Sequence, residues 1–266
     1  MLYAQSRPAA AAARLRRLIG ELRDLAWLVR RRFGTSDDRA RQYARLTLLE
    51  RAARLIMPEY VITEHSKLWF EDDRFLEAYD RLEHGRRRSA DRKYLVRSFA
   101  ASVADLPGDT AEAGIYHGST SWFICEALRG TGKTHHAFDS FEGLAEPGGA
   151  DGQFWRRGDM LASEELARER LSPYPAEIHK GWIPACFEKA SIEALCFAHI
   201  DVDLYAPTLE AMRFFYPLMV SGGVIVCDDY GFTTCPGAKR AVDEYMADRP
   251  ESVVHVPTGQ AFVVKR

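Results

Sequence analysis

ALCFAHIDVDLYAPTLEAMRFFYPLMVSGGVIVCDDYG, residues 194–231, holds two apolar runs of strand length, each closed by carboxylates. The first, Ala194 to Ile200, stops at Asp201 and Asp203; the second, Gly223 to Cys227, stops at Asp228 and Asp229. Near-continuous apolar runs suit strands of a parallel sheet covered on both faces. The amphipathic segment between them is long enough for a right-handed crossover helix, so the strands are predicted to run parallel as neighbours. Asp201, Asp228 and Asp229 then meet at the carboxyl edge, where open α/β sheets bind ligands. Crowded carboxylates repel one another unless a cation lies between them. An anionic, all-oxygen set suits a hard ion, Mg²⁺ before Ca²⁺. The competing reading is three solvated strand-end acids, one of them capping the next helix.

The whole chain sets the frame for this unit. Its 266 residues suit one large α/β domain with room for a helical extension. A net charge of −2 gives no general argument for nucleic acid. The five cysteines are scattered without CxxC spacing and read as reduced thiols of a cytoplasmic protein. No stretch of membrane-spanning length is apolar. Arginines interrupt the N-terminal region where a secretory signal would be apolar. Residues 1–33 carry eight arginines, with Leu15, Leu18, Leu22, Leu25 and Val29 on one helical face. Such a helix can cover its own domain or a dimer mate, or lie on an anionic membrane. The preferred expectation is a homo-oligomer formed through these helices.

A second helix is expected from Asp37 to Ile56, one or two more between 59 and 82, and another from Asp91 to Val103, possible lid elements over the site. The division into domains is expected at 104/105: a helical extension and lid over 1–104, then the α/β domain over 105–266. After the turn Leu106-Pro-Gly-Asp109, the first strand runs from Thr110 to Tyr116 and a helix from Ser121 to Leu128. Glu112, Gly114 and Gly118 make an E-x-G-x-x-x-G pattern at the strand-to-helix turn, where small residues let a cofactor approach the backbone. The second strand, Thr134 to Phe138, ends at Asp139, placed to accept the hydroxyls of a ribose or to cap a helix. Residues 143–160 form a long Gly-rich loop with Phe154 and Trp155, a candidate for closure over substrate. A helix from Ser163 to Leu171 leads to a short third strand, Glu177 to Lys180. A helix from Pro236 to Met246 and a closing strand pair, Val253–Val256 and Ala261–Val264, complete the chain.

Taken in order, E-x-G-x-x-x-G, FDSFEGL, HKGW, IDVDLYAPT and GGVIVCDDYG resemble the macrocin O-methyltransferase (TylF) family over about Leu106 to Arg266. The resemblance implies a Rossmann-like class I methyltransferase sheet of seven strands, mostly parallel with the last antiparallel. It also implies S-adenosylmethionine and Mg²⁺ as cofactors, and a small-molecule hydroxyl acceptor, a sugar or glycosylated natural product. Residue by residue, Glu112, Gly114 and Gly118 would follow the methionine half of the cofactor. Tyr116-His117 stands where Trp-Arg is frequent in the family and joins that set. Asp139 would take the ribose hydroxyls, with Ser140 and Phe141 beside the adenosine. Gly181 and Trp182 match the loop after the third strand. Asp201, Asp228 and Asp229 match the metal ligands, and Asp201 is counted with the cofactor contacts as well. Ala113 replaces a usual Cys, and Ser119 a second Gly.

The chemistry follows from the residues too. A neutral alcohol attacks a sulfonium methyl slowly, and a metal chelated by neighbouring hydroxyls would lower the pKa of one and fix its position. A base must accept the proton; Asp203 and Asp201 are the candidates, ahead of His117 and His199. Competing readings are a methyltransferase of catechols or other phenols, a silent scaffold of the same fold, and a dinucleotide oxidoreductase. The missing G-x-G-x-x-G argues against the last.

Overall fold

The computed structural model describes residues 23, 25–30, 33, 34, 36–53, 69, 72–83 and 89–266. The chain divides into two compact units, 1–71 and 72–266. In the first, helix α1 spans Asp38–Ala53. Most of the arginine-rich stripe lies outside the described residues; of its apolar positions Leu25 and Val29 are described, and both are exposed.

The second unit contains the whole sheet and two of the helices expected in the extension, α2 (Asp73–Glu83) and α3 (Ala90–Ser102). The compact units thus meet at 71/72, with both helices on the side of the sheet. The reason is packing: the rings of Phe75 and Tyr79 of α2 pack against Phe123, and Val96 and Ala100 of α3 join Phe197, Val224 and Val226 in one apolar layer. Burying side chains such as Phe75 and Val96 contributes about 1.5–3 kcal/mol each. These helices are thus part of the domain core.

The remaining elements follow in alternation. They are β1 (Asp109–Ala113), α4 (Ser119–Ala127), β2 (His135–Asp139), α5 (Glu164–Leu171), β3 (Ala176–Lys180) and a 3-10 turn (Ala185–Lys189). Then come β4 (Leu195–Ile200), α6 (Tyr205–Leu218), β5 (Met219–Cys227), α7 (Pro236–Met246), β6 (Val254–His255) and β7 (Ala261–Val264). The sheet order is β3-β2-β1-β4-β5-β7-β6. Strands β1 to β5 are parallel, while β7 pairs antiparallel with both β5 and β6. This is the predicted seven-stranded sheet, and β4 and β5 are neighbours as their crossover length requires.

Alternation along the strands assigns the two faces. Glu112, His135, Phe197, His199, Val224 and Val226 point toward α3 and α4; Ala111, Phe138, Ala198, Ile200, Ile225 and Cys227 point toward α6 and α7. Strand β1 is shorter than expected. It ends at Ala113 because Gly114 adopts φ +83 and turns the chain away at the carboxyl edge. Strand β5 begins four residues earlier than its apolar run, since Met219 continues the ladder with Leu195 across an irregularity at Gly222, φ +83.

Candidate functional site

Two cavities open side by side at the carboxyl edge of β1, β2, β4 and β5. One is bordered by Gly114, Asp139, Ser140, Gly181, Trp182 and Pro207. The other is bordered by Ser89, Arg92, Lys93, Thr120, Trp155 and Phe232. Gly114, Tyr116, Met160, Asp201 and Asp203 line both, so these residues form the shared wall.

Gly114 is required where it stands. A Cβ there would overlap the Asp201 carbonyl oxygen and come 3.0 Å from Val202 Cγ1. Asp139 sits at the end of β2, one carboxylate oxygen accepting from the Tyr116 N–H (2.8 Å) and the other from the Phe141 N–H (2.7 Å). It thereby ties the β1 and β2 loops together at the mouth of the first cavity. Burial raises its pKa, against the lowering effect of those two N–H groups. The Ser140 hydroxyl donates to the Gly143 carbonyl (3.1 Å) and so shapes the start of the long loop.

Of the predicted cofactor set, Gly114, Tyr116, Asp139, Ser140, Gly181, Trp182 and Asp201 line the first cavity; Glu112, His117, Gly118 and Phe141 do not. Glu112 points into the sheet–helix layer and is fully buried, its carboxylate meeting Ser121 Oγ and His199 Nδ1, the latter at 2.8 Å. Burial would raise its pKa, but bonding to His135 and His199 outweighs this and holds it at about 2. Gly118 instead admits helix α5, with Ala167 Cα 3.4 Å from where a Cβ would sit. The His117 ring accepts from the Ser163 N–H at the start of α5 (3.2 Å), and Phe141 packs beside Ile115, Cys125 and Ala167. These four residues hold the surrounding loops and helices through the contacts just given.

The acids at the edge fall into two adjoining groups. Asp201 lies with Asp228 and His199; Asp229 lies with Asp203 and Cys235. The predicted trio Asp201, Asp228 and Asp229 is therefore shared between the groups. Asp228 is buried and engaged: one oxygen accepts from Gln260 Nε2 (2.6 Å) and faces His199 Nε2 (3.3 Å), while the other pairs with the Arg92 guanidinium. His199 is fully buried and bridges Glu112 to Asp228, which removes it from consideration as a base open to substrate. Asp229 accepts the backbone N–H of Asp203 (2.8 Å). Burial, then the charges of Asp203 and Asp201, push its pKa well up. Asp203 stands at φ +57, and burial followed by the Asp201 charge pushes it up to about 7. Carboxylates this mutually repulsive, on oxygen donors alone apart from one thiol and one imidazole, fit a hard divalent cation.

The long loop is fastened at both ends. The Leu144 N–H donates to the Asp159 carbonyl (2.7 Å) and the Gly158 N–H to the Leu144 carbonyl (2.9 Å). At its centre the buried Asp151 accepts from the Gly148 N–H (2.7 Å) and from the Tyr205 N–H (2.6 Å), so it satisfies the open N-terminus of α6. Gly237 leaves the room this carboxylate needs. Loop residues Leu144 and Ala145 then wall the first cavity, Trp155 the second, and Met160 both. Of these four, the sequence named only Trp155, as part of the closure loop, and Arg92 was not named at all. Asp151→Ala is expected to lower the melting temperature by about 3–12 °C, since hydrogen bonds to a charged group contribute about 1.5–3 kcal/mol. An unchanged thermal transition would show that the loop is held by other means.

Three comparisons bear on this geometry. Demethyldecarbamoylnovobiocin O-methyltransferase of Streptomyces niveus is 32% identical over 163 residues, 54% of this chain and 60% of that protein. The 8-demethyl-8-(2,3-dimethoxy-alpha-L-rhamnosyl)-tetracenomycin-C 4'-O-methyltransferase of Streptomyces olivaceus is 29% identical over 177 residues, 60% of this chain and 66% of that protein. The matched regions thus span about three fifths to two thirds of these relatives. Among solved structures, the O-methyltransferase NovP superposes with a TM-score of 0.57 at 25% identity, over 65% of this chain and 79% of its own. The calicheamicin methyltransferase CalS11 superposes with a TM-score of 0.59 at 17% identity, over 86% and 94%, and speaks for the Rossmann-like class I fold alone. The model of the macrocin O-methyltransferase (TylF) family matches residues 69–257, and the chain belongs to that family.

Proposed function

We propose that this protein transfers a methyl group from S-adenosylmethionine to a hydroxyl of a sugar or glycosylated natural product, with Mg²⁺ required. The observation that carries the reading is the pair of cavities meeting along Gly114, Tyr116, Met160, Asp201 and Asp203. The first offers Asp139 for vicinal ribose hydroxyls and apolar walls from Leu144, Ile183 and Pro184 for a flat base. The second mixes hydroxyls and charges (Ser89, Thr120, Arg92, Lys93) with the rings of Trp155 and Phe232, a lining suited to a saccharide. The name of the tetracenomycin relative, with its rhamnosyl group, agrees with such an acceptor.

S-adenosylmethionine supplies an electrophilic sulfonium methyl. As the acceptor oxygen bonds to that carbon and the carbon–sulfur bond breaks, the hydroxyl proton must leave. Asp203, on the shared wall, is the group we assign to take it, with Asp201 beside it. Asp201, Asp228 and Asp229 would hold Mg²⁺, whose charge lowers the pKa of a hydroxyl bound to it. Arg92 keeps the Asp228 carboxylate in place from the acceptor side, and the Glu112–His199 pair holds it from within.

Two measurements test the reading. Glycosylated acceptors and simple catechols are offered with S-adenosylmethionine, with and without chelator; methylation is expected on the former only, and to vanish with chelator until Mg²⁺ returns. Full activity with all bound metal removed would overturn the metal requirement. Calorimetry with S-adenosylhomocysteine on Asp139→Asn is expected to show affinity weakened about 10-fold or more, as loss of charge-assisted bonds implies. Asp139→Ala is expected to weaken it further, because the Tyr116 and Phe141 N–H groups lose their acceptor as well. Wild-type affinity in both variants would remove Asp139 from the cofactor site.

A further inference from the structure

A second cluster of metal-ligating side chains lies away from the carboxyl edge, on the outer two strands of the sheet. His136 is the second residue of β2, Glu177 stands opposite it on β3, and His179 follows two residues later on the same face. His136 Nδ1 is 3.3 Å from His179 Nε2 and 3.6 Å from Glu177 Oε2, and those two atoms are 3.8 Å apart. Ligands on one tetrahedral ion with bonds of 2.0–2.2 Å are separated by about 3.3–3.6 Å. The three donors thus stand within a few tenths of an ångström of the spacing that one ion sets.

The other side of His136 completes the pattern. Its ring is almost wholly buried, and Nε2 makes no hydrogen bond of ordinary length. The acceptor facing that nitrogen is Asp109 Oδ2, 3.5 Å away at the start of β1. A ligating histidine commonly hands its second N–H to a carboxylate, which fixes the tautomer and the ring. The rings are also held in place: His179 stacks on Phe138 with centroids 4.6 Å apart and planes at 18°, and His136 meets His179 edge to edge, its Nδ1 hydrogen-bonded to Nε2 at 3.3 Å.

We propose that His136, His179 and Glu177 bind a divalent transition-metal ion, Zn²⁺ foremost, with Asp109 as the acceptor behind His136. Two imidazole nitrogens disfavour Mg²⁺ and Ca²⁺, so this site and the carboxylate cluster at the other edge select different ions. Glu177 is exposed and gives the ion a path from solvent, with water completing its shell. The ion would clamp β3, an edge strand with a single neighbour, to β2. Because Phe138 and the Gly181-Trp182 turn after β3 line the first cavity, the clamp also steadies the wall of that cavity.

Zinc titration by calorimetry, in Mg²⁺ excess to occupy the oxygen site, tests the proposal on the full chain. Co²⁺ absorption serves as an independent report of nitrogen ligation. Wild-type protein is expected to take up one Zn²⁺ and gain thermal stability with it. His179→Gln and Glu177→Gln are each expected to weaken Zn²⁺ binding about 10-fold or more, and Asp109→Asn about 10-fold. Glu177 is exposed, so its variant remains informative if a histidine variant folds poorly. No Zn²⁺ uptake by the wild type, or wild-type affinity in either His179→Gln or Glu177→Gln, would overturn the site.

Discussion

Asp203→Asn is expected to slow methyl transfer by about 10²–10⁴-fold, the range that loss of a general base produces. Affinity for S-adenosylhomocysteine should stay within a few-fold of the wild type. The substitution is well suited to isolating the proton-transfer role. Asp203 occupies the left-handed region at φ +57, which asparagine tolerates better than most residues. The bond from its backbone N–H to Asp229 does not depend on the side chain. Shape and backbone are thus retained, and what disappears is the capacity to accept a proton next to the shared wall of the two cavities. Single-turnover rates measured by mass spectrometry on the product separate this step from cofactor binding. A fall of less than about 10-fold would shift the role to Asp201, which lines the same wall.

The parts of this architecture that were legible in the sequence are those written as continuous patterns. Two apolar runs closed by aspartates, joined by a helix-length segment, set β4, α6 and β5 side by side and brought their acids to one edge. The place of Asp139 at the carboxyl edge was readable because the second strand is bounded by it. What stayed hidden depends on side-chain direction. Glu112 belongs to the predicted motif, yet strand alternation turns it into the core with His199 and Ser121, one layer below the cavity. Asp228 was expected among the metal ligands; its pairing with Arg92 of α3, 136 positions earlier in the chain, was not. Nothing local marks Arg92 among the many arginines before the sheet. The same holds for Asp151, whose partner Tyr205 N–H lies at the start of a distant helix. The loop's length suggested closure over the site, whereas its own hydrogen bonds and Asp151 fasten it there.

Among the described glycines, Gly114→Ala is expected to be the most damaging single-methyl change. Two independent costs coincide at this position. At φ +83 a residue with a Cβ is strained by about 1–2 kcal/mol. The added carbon also has nowhere to go, since it would overlap the Asp201 carbonyl oxygen and sit 2.8 Å from the carbonyl carbon and 3.0 Å from Val202 Cγ1. Those obstacles are backbone and packed core, not the free end of a flexible side chain. Relief requires β1 and β4 to part where the Asp201 N–H donates to the Ala113 carbonyl (2.9 Å). That displaces Asp201 from the wall between the cavities. The melting temperature should fall by about 6–12 °C, corresponding to a total cost of about 3 kcal/mol, and cofactor binding and turnover should be lost together. Gly132→Ala provides the control, because Gly132 has nearly the same φ, +79, with nothing within 4 Å of its added Cβ. It carries the conformational cost alone, so its melting temperature should drop by only a few degrees with cofactor affinity unchanged. Equal thermal shifts in the two variants, with cofactor affinity retained in both, would show that β4 yields at Asp201 and that the close approach of the two strands is not what shapes the site.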